Sequence, residues 1–291
     1  MLSRWSRSMV TAAGLQTKIL GFINGENVLL HQNCAKVAAF STASSSFDYV
    51  DKSFDSSSIA TVKLDKLFWS KPCSLALAKD SPLRIEEPNY EGFRRFFLKL
   101  MLFYSHESKS IRRATVVYKR IVTQVDKPAI YNTFHLEKTF KTTFSLLVLH
   151  MWMCLRRLKE EGQEGVEFGQ FVYEIYNHNL EMRVSKAGVN LLLTKWMKDL
   201  EKIFYGNLVA YDAALLPEAG KDALSNVLWR NVFSEDGESE PSDAAKHLVQ
   251  TMARYVSREI NCLSLTDKEA MFSGNFMFTS LENPASIARK P

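Results

Sequence analysis

Cysteine is scarce in this chain: four in 291 residues, at positions 34, 73, 154 and 262, with no Cys-x-x-Cys among them. That spacing excludes a disulfide framework and a zinc site built on paired cysteines, and it fits reduced thiols. Long hydrophobic runs are missing too. The longest uncharged stretch, Thr142 to Leu155, is closed off by Lys141 and by Arg156-Arg157. It falls short of the ~18 residues needed to cross a bilayer and reads as a core helix. A large excess of one charge is also absent. There are 37 Lys and Arg against 32 Asp and Glu, and four of the basic residues (Arg4, Arg7, Lys18, Lys36) stand in the first forty positions with Glu26 alone against them. The remainder is close to neutral, so bulk charge names no partner and gives no reason to expect DNA.

Catalytic signatures are equally lacking. The sequence holds no phosphate-binding glycine loop, no G-x-S-x-G, no H-E-x-x-H and no cluster of Cys and His. His150 and Cys154 are four apart and share a helix face, yet they sit in the most apolar segment with no second ligand pair, which favours a core role. Glu160, Glu161, Glu164 and Glu167 carry no Glu-x-x-His and read as a solvated turn rather than a di-iron site. His178 could act as a general base, but no nucleophile or oxyanion pattern stands beside it. No catalytic residue, metal or cofactor is expected.

What is present begins with a leader. Residues 1–40 are Arg- and Ser-bearing and poor in acids, with Leu2, Trp5, Met9, then Leu15, Ile19 and Phe22 on one helical side. This is the pattern of a mitochondrial transit peptide, with cleavage expected near Phe40-Ser41. A chloroplast leader, which Trp5 and the early arginines disfavour, and a plain disordered tail are the rival readings. Residues 41–88 are expected as a Ser- and Pro-containing linker with a short apolar piece, Val62 to Trp69. Residues 89–280 are expected as one all-α helical-bundle domain. Apolar residues recur there at helical spacing over 89–105, 108–125, 137–161, 167–184, 190–205, 207–216, 220–233 and 242–260, and no stretch alternates with period two. Gly206-Asn207 reads as the joint between two of these helices, with Gly206 at a turn that tolerates positive φ.

Three segments, "LHMWMCLRRLK", "FVYEIYNHNLEMRVSKAGVN" and "LLLTKWMKDLEKIFYGNLVAYDAAL", taken in order, resemble the ubiquinol–cytochrome c chaperone family. The resemblance rests on Arg157-Leu158, Arg183 ahead of Gly188-Val189, Lys195 to Lys198, and Phe204-Tyr205-Gly206 followed by Tyr211. It is close over Phe140 to Leu215 and looser as far as Phe272 to Phe278. Two positions depart from the family's pattern: Asn207 stands where a basic residue is common, and Asn190 where an acid is common. The resemblance implies a non-catalytic assembly chaperone for mitochondrial respiratory complex III, on the matrix side of the inner membrane. It further implies binding of newly made cytochrome b, a small partner chaperone and the mitochondrial ribosome. A helical lipid- or quinone-linked enzyme and a structural subunit of a respiratory complex are the alternatives.

Two surfaces are expected on the domain. Trp152, Arg157, Arg183, Trp196, Phe204, Tyr205 and Tyr211 form an expected partner-binding set, because large aromatics are concentrated there and aromatics are over-represented among interface hot spots. Core packing is the competing account of the same rings. Lys109, Arg112, Arg113, Lys119 and Arg120 fall on one side of a helix, with Ile111, Ala114, Tyr118, Ile121 and Val125 on the other. That basic face is expected to meet an anionic surface. Inner-membrane headgroups, for a peripheral association, and ribosomal RNA are not separated by the sequence, and a solvated outer face with no partner is the competing account.

Overall fold

The computed structural model describes residues 68–86, 90–93, 96, 104–189, 191–234 and 240–282, all within one compact unit, Cys34–Pro291. The expected leader, residues 41–67 of the expected linker and most of the expected helix over 89–105 lie outside the described residues. Eight α-helices are described: α1 His106–Asp126, α2 Pro128–Phe134, α3 Phe140–Lys159, α4 Gly162–Lys186, α5 Leu193–Ala214, α6 Ala223–Leu228, α7 Asp243–Ser264 and α8 Lys268–Ser273. Among the described residues there is no strand, only an isolated antiparallel bridge between Ala76 and Phe276. The all-α expectation therefore holds.

Local chemistry sets the helix starts. Ser105, Ser242 and Asp267 each accept a hydrogen bond from the backbone N–H three residues on, at the heads of α1, α7 and α8. At the head of α3, Thr139 and Thr142 form a reciprocal capping box. α3 is the axis of the bundle: Phe144 through Cys154 are all buried. A helix apolar on every side must be surrounded, and α3 packs against α1, α4, α5 and α7.

Four differences from the sequence reading have physical causes. α5 is one helix from Leu193 to Ala214, running straight through Gly206-Asn207, so there is no joint. Its buried side, Leu200, Ile203, Phe204, Asn207, Leu208 and Tyr211, keeps helical register across the glycine. The penalty of ~1 kcal/mol for glycine in a helix is small beside the burial of those side chains. Ile111 was expected on the inner face of α1 but is 39% exposed. The inner seam instead runs through Ser110, Ala114, Val117, Tyr118, Ile121, Gln124 and Val125.

The expected helix over 220–233 breaks after Leu228 into a π-helical turn, Trp229–Phe233. Finally, residues 68–86 of the expected linker are docked on the bundle. Phe68 packs against Phe134 and Tyr255 with ring centroids 6.3 and 5.5 Å away. Leu77 N–H donates to the Asn275 carbonyl (2.8 Å) and Met277 N–H to the Leu75 carbonyl (3.1 Å). The Asn275 side chain closes a two-way amide pair with Ile85, at 2.8 and 3.1 Å. This strap pairs with a segment about 190 residues away, which no local pattern announces.

Candidate functional site

α4 and α5 pack on each other and on α3, and this corner gathers four of the expected partner-binding residues, Trp152, Phe204, Tyr205 and Tyr211. The Trp152 and Tyr211 rings lie 4.9 Å apart, tilted by 34°, while Phe204 lies 5.2 Å from Tyr173 and 5.0 Å from Tyr176. Trp152, Phe204 and Tyr211 are each 1% exposed or less. The indole N–H of Trp152 donates to Asp212 Oδ1 at 2.9 Å, and Arg156 donates to the same oxygen. These three rings are therefore core, with no surface to offer a partner in the folded chain. Tyr205 and Trp196 are half-buried and reach solvent. Burial raises the Tyr205 hydroxyl to about 12, so it is neutral at physiological pH.

The two arginines part company. Arg157 is buried; its Nε donates to the Leu263 carbonyl and its Nη2 to the Thr266 carbonyl, both at 2.9 Å, with Glu161 at 2.7 Å. It closes the carbonyl end of α7, where the helix has run out of its own donors, and brings a cation to the negative end of the dipole. It is a structural clamp rather than a contact for a partner.

Arg183 sits at the surface, with Nε on Asn179 Oδ1 (2.8 Å) and Nη2 3.3 Å from Asp126. It lines an open groove of about 560 Å³ together with Asp126, Lys138, Phe140, Phe144 and Leu180. Phe140 and Phe144 stack at 6.3 Å. An apolar floor between two cationic residues and a carboxylate suits a peptide segment with apolar side chains on one edge and polar ones on the other. Periodicity placed Phe140 and Phe144 only within the helical run 137–161 and left Lys138 unmarked, because the groove is made by residues from three helices and a loop.

The expected basic face of α1 is partly spent within the fold. Arg120 donates to the Gly274 carbonyl (2.8 Å) and to the Leu83 carbonyl (2.6 Å), tying the strap and the C-terminal segment to α1. Arg113 lies 3.9 Å from Glu269. Lys109 and Arg112 are half-buried and Lys119 exposed. Arg120 thus leaves the expected anionic-surface set: its guanidinium is held by two backbone carbonyls of the chain itself.

The remaining chemical candidates are bonded into the fold or stand apart from one another. Both ring nitrogens of His150 are engaged, Nδ1 with the Leu146 carbonyl (2.7 Å) and Nε2 with the Tyr255 hydroxyl (2.9 Å). Burial pushes the Cys154 thiol well above its ordinary range. Glu164 pairs with Lys268 at 2.7 Å, and His178 is exposed. Among the described residues no group of three or more His, Cys, Asp or Glu is placed to hold a metal. The buried network of Gln124, His150, Tyr255, Arg258, Glu259 and Thr279 escaped the sequence reading. Glu259 is fully buried, its Oε2 accepting from Thr279 N–H (3.1 Å) and its Oε1 from Arg258 (3.2 Å), and burial raises its carboxyl above the usual range.

Comparison with known proteins adds the family. The human protein ubiquinol-cytochrome c reductase complex assembly factor 1 is 27% identical over 223 residues, covering 74% of this chain and 71% of its own. The yeast protein CBP3, mitochondrial, is 25% identical over 152 residues, 51% of this chain and 43% of its own length. The crystal structure of the Cbp3 homolog from Brucella abortus superposes with a TM-score of 0.53 at 25% identity, over 63% of this chain and 97% of that one. The profile of the ubiquinol-cytochrome C chaperone family matches residues 132–279, which run from α2 through the segment that receives the strap. With half its length matched, in the order that the Arg157, Arg183 and Phe204-Tyr205-Gly206 motifs set out, the chain belongs to the ubiquinol-cytochrome C chaperone family.

Proposed function

We propose that this protein is a mitochondrial assembly chaperone for respiratory complex III (ubiquinol–cytochrome c reductase). It binds newly made cytochrome b on the matrix side of the inner membrane and performs no reaction on it. The observation that carries this reading is the likeness to proteins named as complex III assembly factors across 74% of the chain. The groove beside Arg183 supports it. A membrane protein awaiting insertion exposes apolar helix faces, and an apolar floor with charged rims receives such a face without a covalent step. A small partner chaperone and the mitochondrial ribosome belong to the same reading, since a nascent client is met where it is made.

The test is capture of newly synthesised mitochondrial translation products by the tagged protein, solubilised in mild detergent. Cytochrome b is the product expected to be retained, and Arg183→Glu is expected to reduce its recovery several-fold while leaving the melting temperature in place. Equal recovery of every mitochondrial product would overturn the assignment of the client. Conversion of a lipid or quinone by the purified protein would favour an enzyme.

A further inference from the structure

The first turns of α5 carry a second surface, of different chemistry from the groove. The turn before α5 exposes Leu191 completely and Leu192 by 55%, whereas most large apolar side chains among the described residues are buried. Lys195, Lys198 and Lys202 follow at spacings of three and four, one stripe of the helix. The buried side of α5, centred on Leu200, Phe204, Asn207 and Tyr211, points the opposite way. The two leucines and three lysines line one shallow cleft of about 540 Å³, together with Thr194 and Asp199.

Charge in this cleft is one-sided. Asp199 has a side chain only 15% exposed and lies 3.5 Å from Lys202, so Lys195 and Lys198, both exposed, carry the outward charge. α5 also opens without a capping side chain: Leu192 stands at its N-cap and offers no oxygen to the first-turn N–H groups. The positive end of the helix dipole therefore adds to the lysines rather than being quenched.

We infer that this cleft docks the protein on an anionic phospholipid bilayer. Leu191 and Leu192 enter the boundary between headgroups and acyl chains, and Lys195, Lys198 and Lys202 lie against headgroup phosphates. Each half of the site needs the other half of that surface. Lysines alone would suit RNA as well, but an RNA backbone offers no apolar phase to cover Leu191, and a bilayer offers one within a few ångströms of the phosphates. No helix among the described residues is long and apolar enough to cross a membrane, so the contact is peripheral. It transfers the anionic-surface role from α1, whose Arg120 is engaged with the chain itself. The inference rests on the reading that the protein works beside a membrane, and it names the face that does so.

The experiment is co-sedimentation of the full chain with vesicles of phosphatidylcholine containing phosphatidylglycerol, against vesicles of phosphatidylcholine alone. Binding is expected only to the former and is expected to weaken with salt. Replacing Lys195, Lys198 and Lys202 together by Gln is expected to lower partitioning by about 100-fold, and Leu191→Asn by about tenfold. The corresponding α1 variant, with Lys109, Arg112 and Lys119 changed to Gln, should bind as the parent does.

Leu191, the three α5 lysines and Lys119 are exposed and Lys109 and Arg112 half-buried, and circular dichroism with a melting curve verifies that each variant is folded. Inorganic phosphate is expected to displace the protein no better than chloride at equal ionic strength; specific displacement would replace the bilayer by a soluble phosphate ligand. Failure of the parent protein to sediment with the anionic vesicles, or loss of binding in the α1 variant alone, would overturn the inference. So would an α5 triple variant that binds vesicles normally but loses ribosomes or a protein partner. Recovery of cytochrome b in detergent, where no bilayer is present, should be unchanged by the triple variant, which keeps the two proposals separately testable.

Discussion

The Tyr255 hydroxyl lies 2.9 Å from His150 Nε2, and on the far side of the ring His150 Nδ1 lies 2.7 Å from the Leu146 carbonyl. A carbonyl only accepts, so Nδ1 carries a proton; burial keeps the ring neutral, which leaves Nε2 to accept from the Tyr255 hydroxyl. Gln124 donates to the Tyr255 oxygen at 3.3 Å and to the Thr279 carbonyl at 3.0 Å, completing a chain across α1, α3, α7 and the C-terminal segment.

That chain makes stability pH-dependent. Burial lowers the His150 imidazole from 6.5 to about 4. Between those values the unfolded chain takes up a proton that the folded chain refuses, so stability falls as pH drops through the window, by up to about 3 kcal/mol. Glu259 acts in the opposite sense, because its raised carboxyl binds a proton more readily in the folded state. The readout is therefore the difference between the parent and His150→Gln. Urea midpoints from pH 7 down to 4.5 should show a steeper loss in the parent, and parallel slopes would contradict the assignment.

Arg157 should be irreplaceable by lysine. Its fork spans the Leu263 and Thr266 carbonyls and the Glu161 carboxylate, which a single ammonium does not. Arg157→Met is expected to cost about 3 kcal/mol, because the buried Thr266 carbonyl loses the arginine donor, the Leu263 carbonyl keeps only the Thr266 N–H (3.0 Å), and the Glu161 carboxylate loses its cation. Arg157→Lys should recover less than half of that in chemical denaturation. Full recovery would mean that charge alone matters at this position.

Gly206→Ala should stabilise the protein. The glycine lies inside α5, and a Cβ there would meet nothing within 4 Å. Alanine gains up to ~1 kcal/mol of helix propensity, which corresponds to a rise of about 2 to 4 °C in melting temperature. A fall would restore the joint that the sequence suggested.

Gly274→Ala should do the reverse. Its φ is +72°, and an added Cβ would stand 2.6 Å from Val116 Cγ1 and 3.0 Å from the Val117 amide nitrogen. The strain falls where Arg120 grips the Gly274 carbonyl and the strap hydrogen-bonds to Asn275. A loss of about 2 kcal/mol or more is expected, together with faster proteolysis within residues 70–86. Unchanged proteolysis would separate the strap from this anchor.

Periodicity revealed most of the residues that turn inward, Ile111 excepted, and it located α1, α3, α4, α5 and α7, because burial on one helical face leaves a local trace. It did not reveal what the inward residues meet. Arg157 stood out as a motif, but its carbonyl partners lie more than a hundred positions away, in the last turn of α7 and just beyond it. Gly206 was misread because glycine is a local signal and the packing that overrides it is not. Among the expected partner residues, Trp152, Phe204 and Tyr211 turned out to be core, since an aromatic stripe has the same spacing whether it packs inside the fold or against a partner. The cleft of Leu191, Leu192 and the α5 lysines was overlooked because its apolar residues stand in a turn, outside any periodic stripe.

The central claim, that this protein assists the assembly of complex III without becoming part of it, is tested most directly by native electrophoresis of mitochondria followed by detection of the tagged protein. The account predicts comigration with early intermediates that contain cytochrome b, and none with the mature complex. A stoichiometric presence in mature complex III would contradict it and make the protein a structural subunit.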